Sequence, residues 1–214
     1  AAAHAWLAYW KIMSVGQGWS DDPVRDGTLA GKAAERAIIL DPLDARGISI
    51  AGHVKAYLLH EVEAALALHQ RAVSLNPNLP ISWTLSACAQ MYSGNHQKAV
   101  KHSETAISLS PNDPHVFFAE HVAMTAHMFL GNLDTAEYLA GRVLSQKPDH
   151  ASALKVRVAI LGLMGRKDDA QDHLEKLKEV DPDINIRKII SRPPLRPADI
   201  EVYTRGLRLA GVSE

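Results

Sequence analysis

The sequence predicts an all-α solenoid of about five helical hairpins followed by a C-terminal capping helix. Three observations carry this: an internal repeat with a period near 34 residues, a proline closing each repeat, and a glycine at the turn of the last three. Composition agrees. The 214 residues are 47% apolar and 22% charged with a formal net charge of −1, which describes a globular chain that buries a core without metals or disulfides.

The repeated phrase sets small or apolar residues four and seven apart and then a proline. It reads Ala30, Ala34, Ala37, Pro42; Ala65, His69, Ala72, Pro77; Ala99, Ser103, Ala106, Pro111; Ala136, Ala140, Val143, Pro148; and Ala170, Leu174, Leu177, Pro182. Successive prolines are 35, 34, 37 and 34 residues apart. Residues at that spacing stack on one helix face, so each phrase is the second helix of a hairpin, with small side chains for close approach. Gly94, Gly131 and Gly165 stand five residues before the last three phrases, where a tight turn favours a residue without a Cβ. Each proline stops its helix, and Asp44, Asn78, Asp113 and Asp149 are expected to cap the next one.

The elements follow in order. Residues 1–182 form the array, with repeats at about 3–44, 45–78, 79–112, 113–149 and 150–183. In the first, the stretch GWSDDPVRDG at 18–27 is expected to make a long inter-helix loop. The three extra residues of the fourth are expected to lengthen a first helix starting at Pro114. Residues 183–214 are a proline-containing linker and a helix from about Ala198 to Ala210. In that helix Ile200, Tyr203, Leu207 and Ala210 form one apolar stripe, acids stand near the start, Arg205 and Arg208 near the end, and Gly211 supplies the stop. It is expected to fold back onto repeat five, because an array is stable only when its terminal apolar faces are covered.

This pattern resembles the tetratricopeptide repeat, whose unit carries Trp, Leu, Gly, Tyr, Ala, Phe, Ala and Pro at set positions. The resemblance covers roughly residues 3–182 and is strongest at the two small positions and the proline. Trp83 stands at the family's tryptophan position, while His53, Ala87, Met124 and Val158 fill its glycine position. The resemblance implies a right-handed superhelix acting as a non-catalytic scaffold in protein–protein interaction or regulation. It also implies a concave groove lined by Ile50, Val54 and Tyr57 in repeat two; Ile81, Thr84, Cys88 and Met91 in repeat three; and Phe118, His121, Thr125 and Met128 in repeat four. Gly47 extends the list in repeat two, and Ser152, Lys155, Ala159 and Gly162 extend it into repeat five.

Co-chaperone members of the family hold a peptide carboxylate with Lys, Arg and Asn at such positions. Here only Lys155 is charged, so the implied partner is a protein or peptide with an apolar or amphipathic segment. The chain's own ends are an alternative cover for the groove. The ending GLRLAGVSE resembles the tail after such arrays in bacterial class III nucleotide cyclases and winged-helix transcriptional regulators. That implies the C-terminal part of a signalling or transcription regulator, with an upstream domain as partner. A small-molecule sensor pocket controlling such a domain is the alternative.

Other chemistries are not expected. His115, His121 and His127 step by six, which turns neighbours about 240° apart on a helix, and no HExxH occurs, so no metal site is expected. Ser93-Gly94-Asn95-His96 spells a hydrolase family's name but forms one turn of a repeat, and Gly16-Gln17-Gly18 lacks a preceding strand and a third glycine. Cys88 has no adjacent histidine to activate it. No catalytic residue and no cofactor are expected. Near-neutral charge argues against direct nucleic-acid binding, and the polar residues of Leu79–Gln97 argue against a membrane span. A single cysteine fits a reducing, cytoplasmic setting. The first ten residues lack the form of a secretory signal, and the missing initiator Met implies an excised domain or processed product.

Overall fold

The computed structural model describes the backbone of residues 1–214 and every side chain except that of Val180. Five hairpins follow one another: α1 (Ala2–Gln17) with α2 (Pro23–Leu40), α3 (Ala45–His53) with α4 (Val62–Leu75), and α5 (Pro80–Tyr92) with α6 (His96–Leu109). Then come α7 (Val116–Phe129) with α8 (Leu133–Gln146) and α9 (Ala151–Leu163) with α10 (Lys167–Val180). The short α11 (Ile186–Ile190) and α12 (Pro197–Leu209) end the chain.

Hairpins stack because the repeated positions are small. Ala65, Ala72, Ala99, Ala136, Ala140 and Ala170 are all 0% exposed, which lets each second helix lie against its own first helix and the next repeat's first helix. The turns confirm the glycine reading: Gly94, Gly131 and Gly165 have φ of 83°, 78° and 74°. In repeat two His60 takes the same left-handed conformation with φ 58°, which costs a residue with a Cβ about 1–2 kcal/mol.

The irregular spacings resolve into local structure. The 35-residue spacing puts its extra residue into a π-helical turn, Val54–Leu58, where the Leu59 N–H donates to the Val54 carbonyl at 3.1 Å. The 37-residue spacing is absorbed in the loop before α7, which starts at Val116 instead of Pro114. There the Asp113 carboxylate accepts from the His115 N–H at 2.7 Å and the Asp113 carbonyl from the Val116 N–H at 2.9 Å, so a turn outcompetes an earlier helix start.

The loop expected at 18–27 is also corrected. Asp22 caps the helix by accepting from the Arg25 N–H, Pro23 takes the first helical position, and the extra residues become an added turn of α2. Of the four expected caps only Asp44 serves as one, accepting from Arg46 N–H. Asn76 folds its own side chain onto the Asn78 N–H, and the Nδ1 of His150, one residue beyond Asp149, accepts from Ala153 N–H.

At the C-terminus, Tyr203, Leu207 and Ala210 are buried and Ile200 half-buried, as the stripe predicts. The helix caps repeat five on its concave flank, packing on α9 and touching α7. The open edge formed by α10 needs no apolar cover, because beyond Ala170, Leu174 and Leu177 its sequence is mostly charged. Close approach depends on glycine at both helices. A Cβ at Gly206 would fall on the Ala159 carbonyl, and one at Gly162 would fall on the Gly206 carbonyl. Gly211, with φ 87°, then ends α12; the Val212 N–H bonds the Leu207 carbonyl at 3.0 Å and Val212 is buried beside it.

Candidate ligand basin on the concave face

The array curls far enough for α1 to touch α9 as well as α3, so its concave side is a basin instead of an open channel. The linker after α11 completes the wall: Arg192 lies beside Gly18, and Arg196 donates to the Ser93 carbonyl at 3.4 Å. A buried contact of His96 Nε2 with the Asp199 carboxylate at 2.8 Å pins the start of α12 to the α5–α6 turn.

What remains is a main cavity of about 450 Å³. A lobe of about 260 Å³ runs from it toward Arg46, Ile81 and Thr84, and a side chamber of about 100 Å³ reaches Lys155 and Arg192. The chain has four Trp, five Tyr and three Phe. Eight of them line the main cavity, so its walls are aromatic: Trp6, Tyr9, Trp10 and Trp19 on one side face Tyr57, Tyr92, Phe117 and Phe118 on the other. Among the described residues no carboxylate lines it.

Ring contacts order the walls. Trp6 meets Tyr9 edge-on at 5.6 Å, His53 stacks on Tyr57 at 5.8 Å, and Tyr57 on Tyr92 at 6.4 Å. Trp6, Trp10 and Trp19 are 45%, 57% and 63% exposed, which is unusual for the largest apolar side chain.

Three histidines give the basin polar points without charge. Burial pushes His53 down to about 4 and, with His150 adding, His121 down to about 3. His150 is lowered by burial as well, and its ring lies 5.4 Å from that of His121. The Nδ1 atoms of His53 and His121 are buried with no hydrogen-bond partner. Among the described residues no group of three or more His, Cys, Asp or Glu side chains could hold a metal ion.

The expected groove residues divide in two. Tyr57, Ile81, Thr84, Met91, Phe118, His121 and Thr125 line the basin, its lobe or its side chamber. Ile50 and Val54 do not: both are buried in the core cluster that joins α1, α2 and α3. The extra residue of repeat two lies inside its first helix, so positions before the π turn shift by one, about 100° of rotation. The basin side therefore carries Arg46 and His53 instead. For the same reason Gly52, not His53, makes the close helix approach: a Cβ there would stand 2.8 Å from the His69 ring.

Cys88 and Met128 lie in the core beneath the groove, and burial pushes the Cys88 thiol up to about 12, which leaves it inert. Ser152 and Lys155 line the side chamber, while Ala159 and Gly162 are covered by α12. The wall supplied by α1 was missed. Its signal was in the sequence: three of the four Trp fall within the first 19 residues, and Trp6 and Trp10 share a helix face.

Residues 81–113 match the tetratricopeptide repeat family model. That stretch is the α5–α6 hairpin. No curated protein sequence matches the chain. Among solved structures, PilW, a type IV pilus biogenesis factor, is similar with a TM-score of 0.68 at 16% identity, covering 98% of this chain and 90% of that one. TTC0263 of Thermus thermophilus, a tetratricopeptide repeat protein, gives 0.64 at 19%, over 87% and 97%. YrrB, described as such a protein with an unusual peptide-binding site, gives 0.53 at 20%, over 75% and 80%. The fold is thus a tetratricopeptide-type α-solenoid.

Proposed function

We propose that this tetratricopeptide solenoid is a non-catalytic scaffold whose concave basin takes an apolar or amphipathic segment of a protein partner. The observation that carries the reading is the uncharged aromatic lining with three exposed tryptophans at its mouth. The peptide-binding site named for YrrB supports it by analogy of fold. Peptides selected from a random library on the wild-type chain should be rich in apolar residues and should change the emission of Trp6, Trp10 and Trp19. Phe118→Glu and Tyr9→Glu should each weaken them by a few kcal/mol, since an unpaired charge in an apolar wall is costly. Selected peptides that bind both variants normally would place the site elsewhere.

Attachment to a cyclase or winged-helix domain rests on GLRLAGVSE, and the packing of Gly206, Leu207 and Ala210 on α9 accounts for those residues without it. A cytoplasmic setting rests on the single free thiol. No helix is long and apolar enough to cross a membrane among the described residues.

A second reading, a small-molecule pocket, is favoured by the closure of the basin. Contact between α1 and α9 leaves about 450 Å³, within the roughly 300–1,000 Å³ of small-ligand sites.

A further inference from the structure

The side chamber opens into the main cavity, because Gly16, Tyr57, Tyr92, His121 and Ser152 line both. The two volumes differ in chemistry. One is aromatic and uncharged; the other holds Lys155 and Arg192 and no carboxylate.

These cations lack counter-ions among the described residues. Asp181, the carboxylate that acts on Lys155, is already bonded to Lys188 Nζ at 2.5 Å, so Lys155 and Lys188 share one acid. Burial, with Arg192 beside it, pushes the Lys155 ammonium down to about 8, as befits a half-buried cation awaiting an anion. Arg192 reaches this place because the turn after α1 offers Gly18, whose missing Cβ would stand 3.3 Å from the guanidinium. On the apolar side the rings of His53 and His121 form part of the wall, and burial keeps both uncharged at neutral pH.

We infer that the basin and its side chamber form one site for a small apolar or aromatic monocarboxylate, with the carboxylate held by Lys155 and Arg192. The inference rests on the small-molecule reading of the basin. A chamber of about 100 Å³ has room for a carboxylate and little more, and the ring-lined cavity beside it takes the flat body.

Calorimetric titration of the full chain at pH 7 with indole-3-butyrate and with its neutral amide tests this without any variant. The acid should bind at least tenfold tighter, the loss expected for a charge-assisted contact. Lys155→Met and Arg192→Met should each remove about that factor for the acid and leave the amide unchanged, while Lys155→Arg keeps the preference.

Equal affinity for acid and amide would overturn the carboxylate assignment but keep the small-molecule pocket. No binding of either would overturn both and leave the protein-partner reading to its own test. Tighter binding of the tripeptide Ala-Ala-Trp than of the indole acid would overturn the small-molecule assignment in favour of a peptide end.

Discussion

Exchange of Gly206 for alanine sets two known effects against each other at the α9–α12 crossing. A Cβ at Gly206 would fall on the Ala159 carbonyl oxygen and stand 3.0 Å from both the Ala159 carbonyl carbon and Leu163 Cγ. Alanine is better than glycine inside a helix by about 0.8–1 kcal/mol. The clash is with backbone, so no rotamer change relieves it and α12 must shift; overpacking of this kind costs roughly 1–3 kcal/mol. Any loss of contact at Tyr203 and Leu207 adds to that, since full burial of such side chains contributes roughly 1.5–3 kcal/mol each. The clash wins, for a net loss of about 1–2 kcal/mol, or roughly 2–8 °C in Tm for a chain of this size. Gly141 in α8 is the control, because a Cβ there meets nothing within 4 Å. Gly141→Ala should raise Tm by roughly 2–4 °C through helix propensity alone. Scanning calorimetry of the two variants beside the wild type reads both signs. A Gly206→Ala chain that melts as high as Gly141→Ala would refute the docking of α12 on α9.

The remaining expectations concern the turn, the buried histidines and the tail. His60→Gly removes a left-handed strain at φ 58° and should stabilise by about 0.5–1 kcal/mol after the entropy cost of glycine; an unchanged or lower Tm counts against that strain. His53, His69 and His121 are held by burial at about 4, 3 and 3 against an ordinary 6.5, so between those values the unfolded chain binds protons that the folded chain refuses. Stability is therefore full above about pH 6.5 and falls as pH drops toward 4. Melting curves from pH 7.5 to 5.0 should show this slope, and His69→Met should flatten it; a flat wild-type profile sinks the argument. Truncation after Ser191 uncovers the flank of α9 and should lower Tm or cause association. A truncated chain that stays monomeric and melts at the full-length temperature would show that α12 stabilises nothing.

The array was legible because its period, its small faces and its turn glycines each have one physical meaning. Ala99, Ser103 and Ala106 are buried at a helix interface, and Gly94 takes a conformation that a side chain disfavours. Departures from the period were legible as lengths only. One extra residue in repeat two and three in repeat four were visible, but whether each enters a helix, a π turn or a loop is decided by tertiary packing and by the Asp113 turn. The groove followed the same limit. Met91, Phe118 and His121 lie in first helices that carry no extra residue within them and were found; His53 lies before the π turn and was displaced by one position. Nothing in the repeat pattern said that α1 reaches across to α9, so the tryptophans of the opening helix carried no assignment.

The irregular pieces are also the ones that build the basin. Trp19 comes from the turn before the lengthened α2, Tyr57 from the π turn, His115 from the loop before α7, and Arg192 from the linker after α11. A regular array would place every first helix alike and leave an open, even groove. Here each departure turns one aromatic or charged side chain toward the same space, while the regular positions, such as Ala65, Ala99 and Ala136, remain in the core. The extra residue at the π turn illustrates the selection. It costs a regular hydrogen-bonding pattern, yet it sets Tyr57 between His53 and Tyr92 in one stacked wall. Stability alone would favour a regular helix there; the π turn instead places Tyr57 on the basin wall.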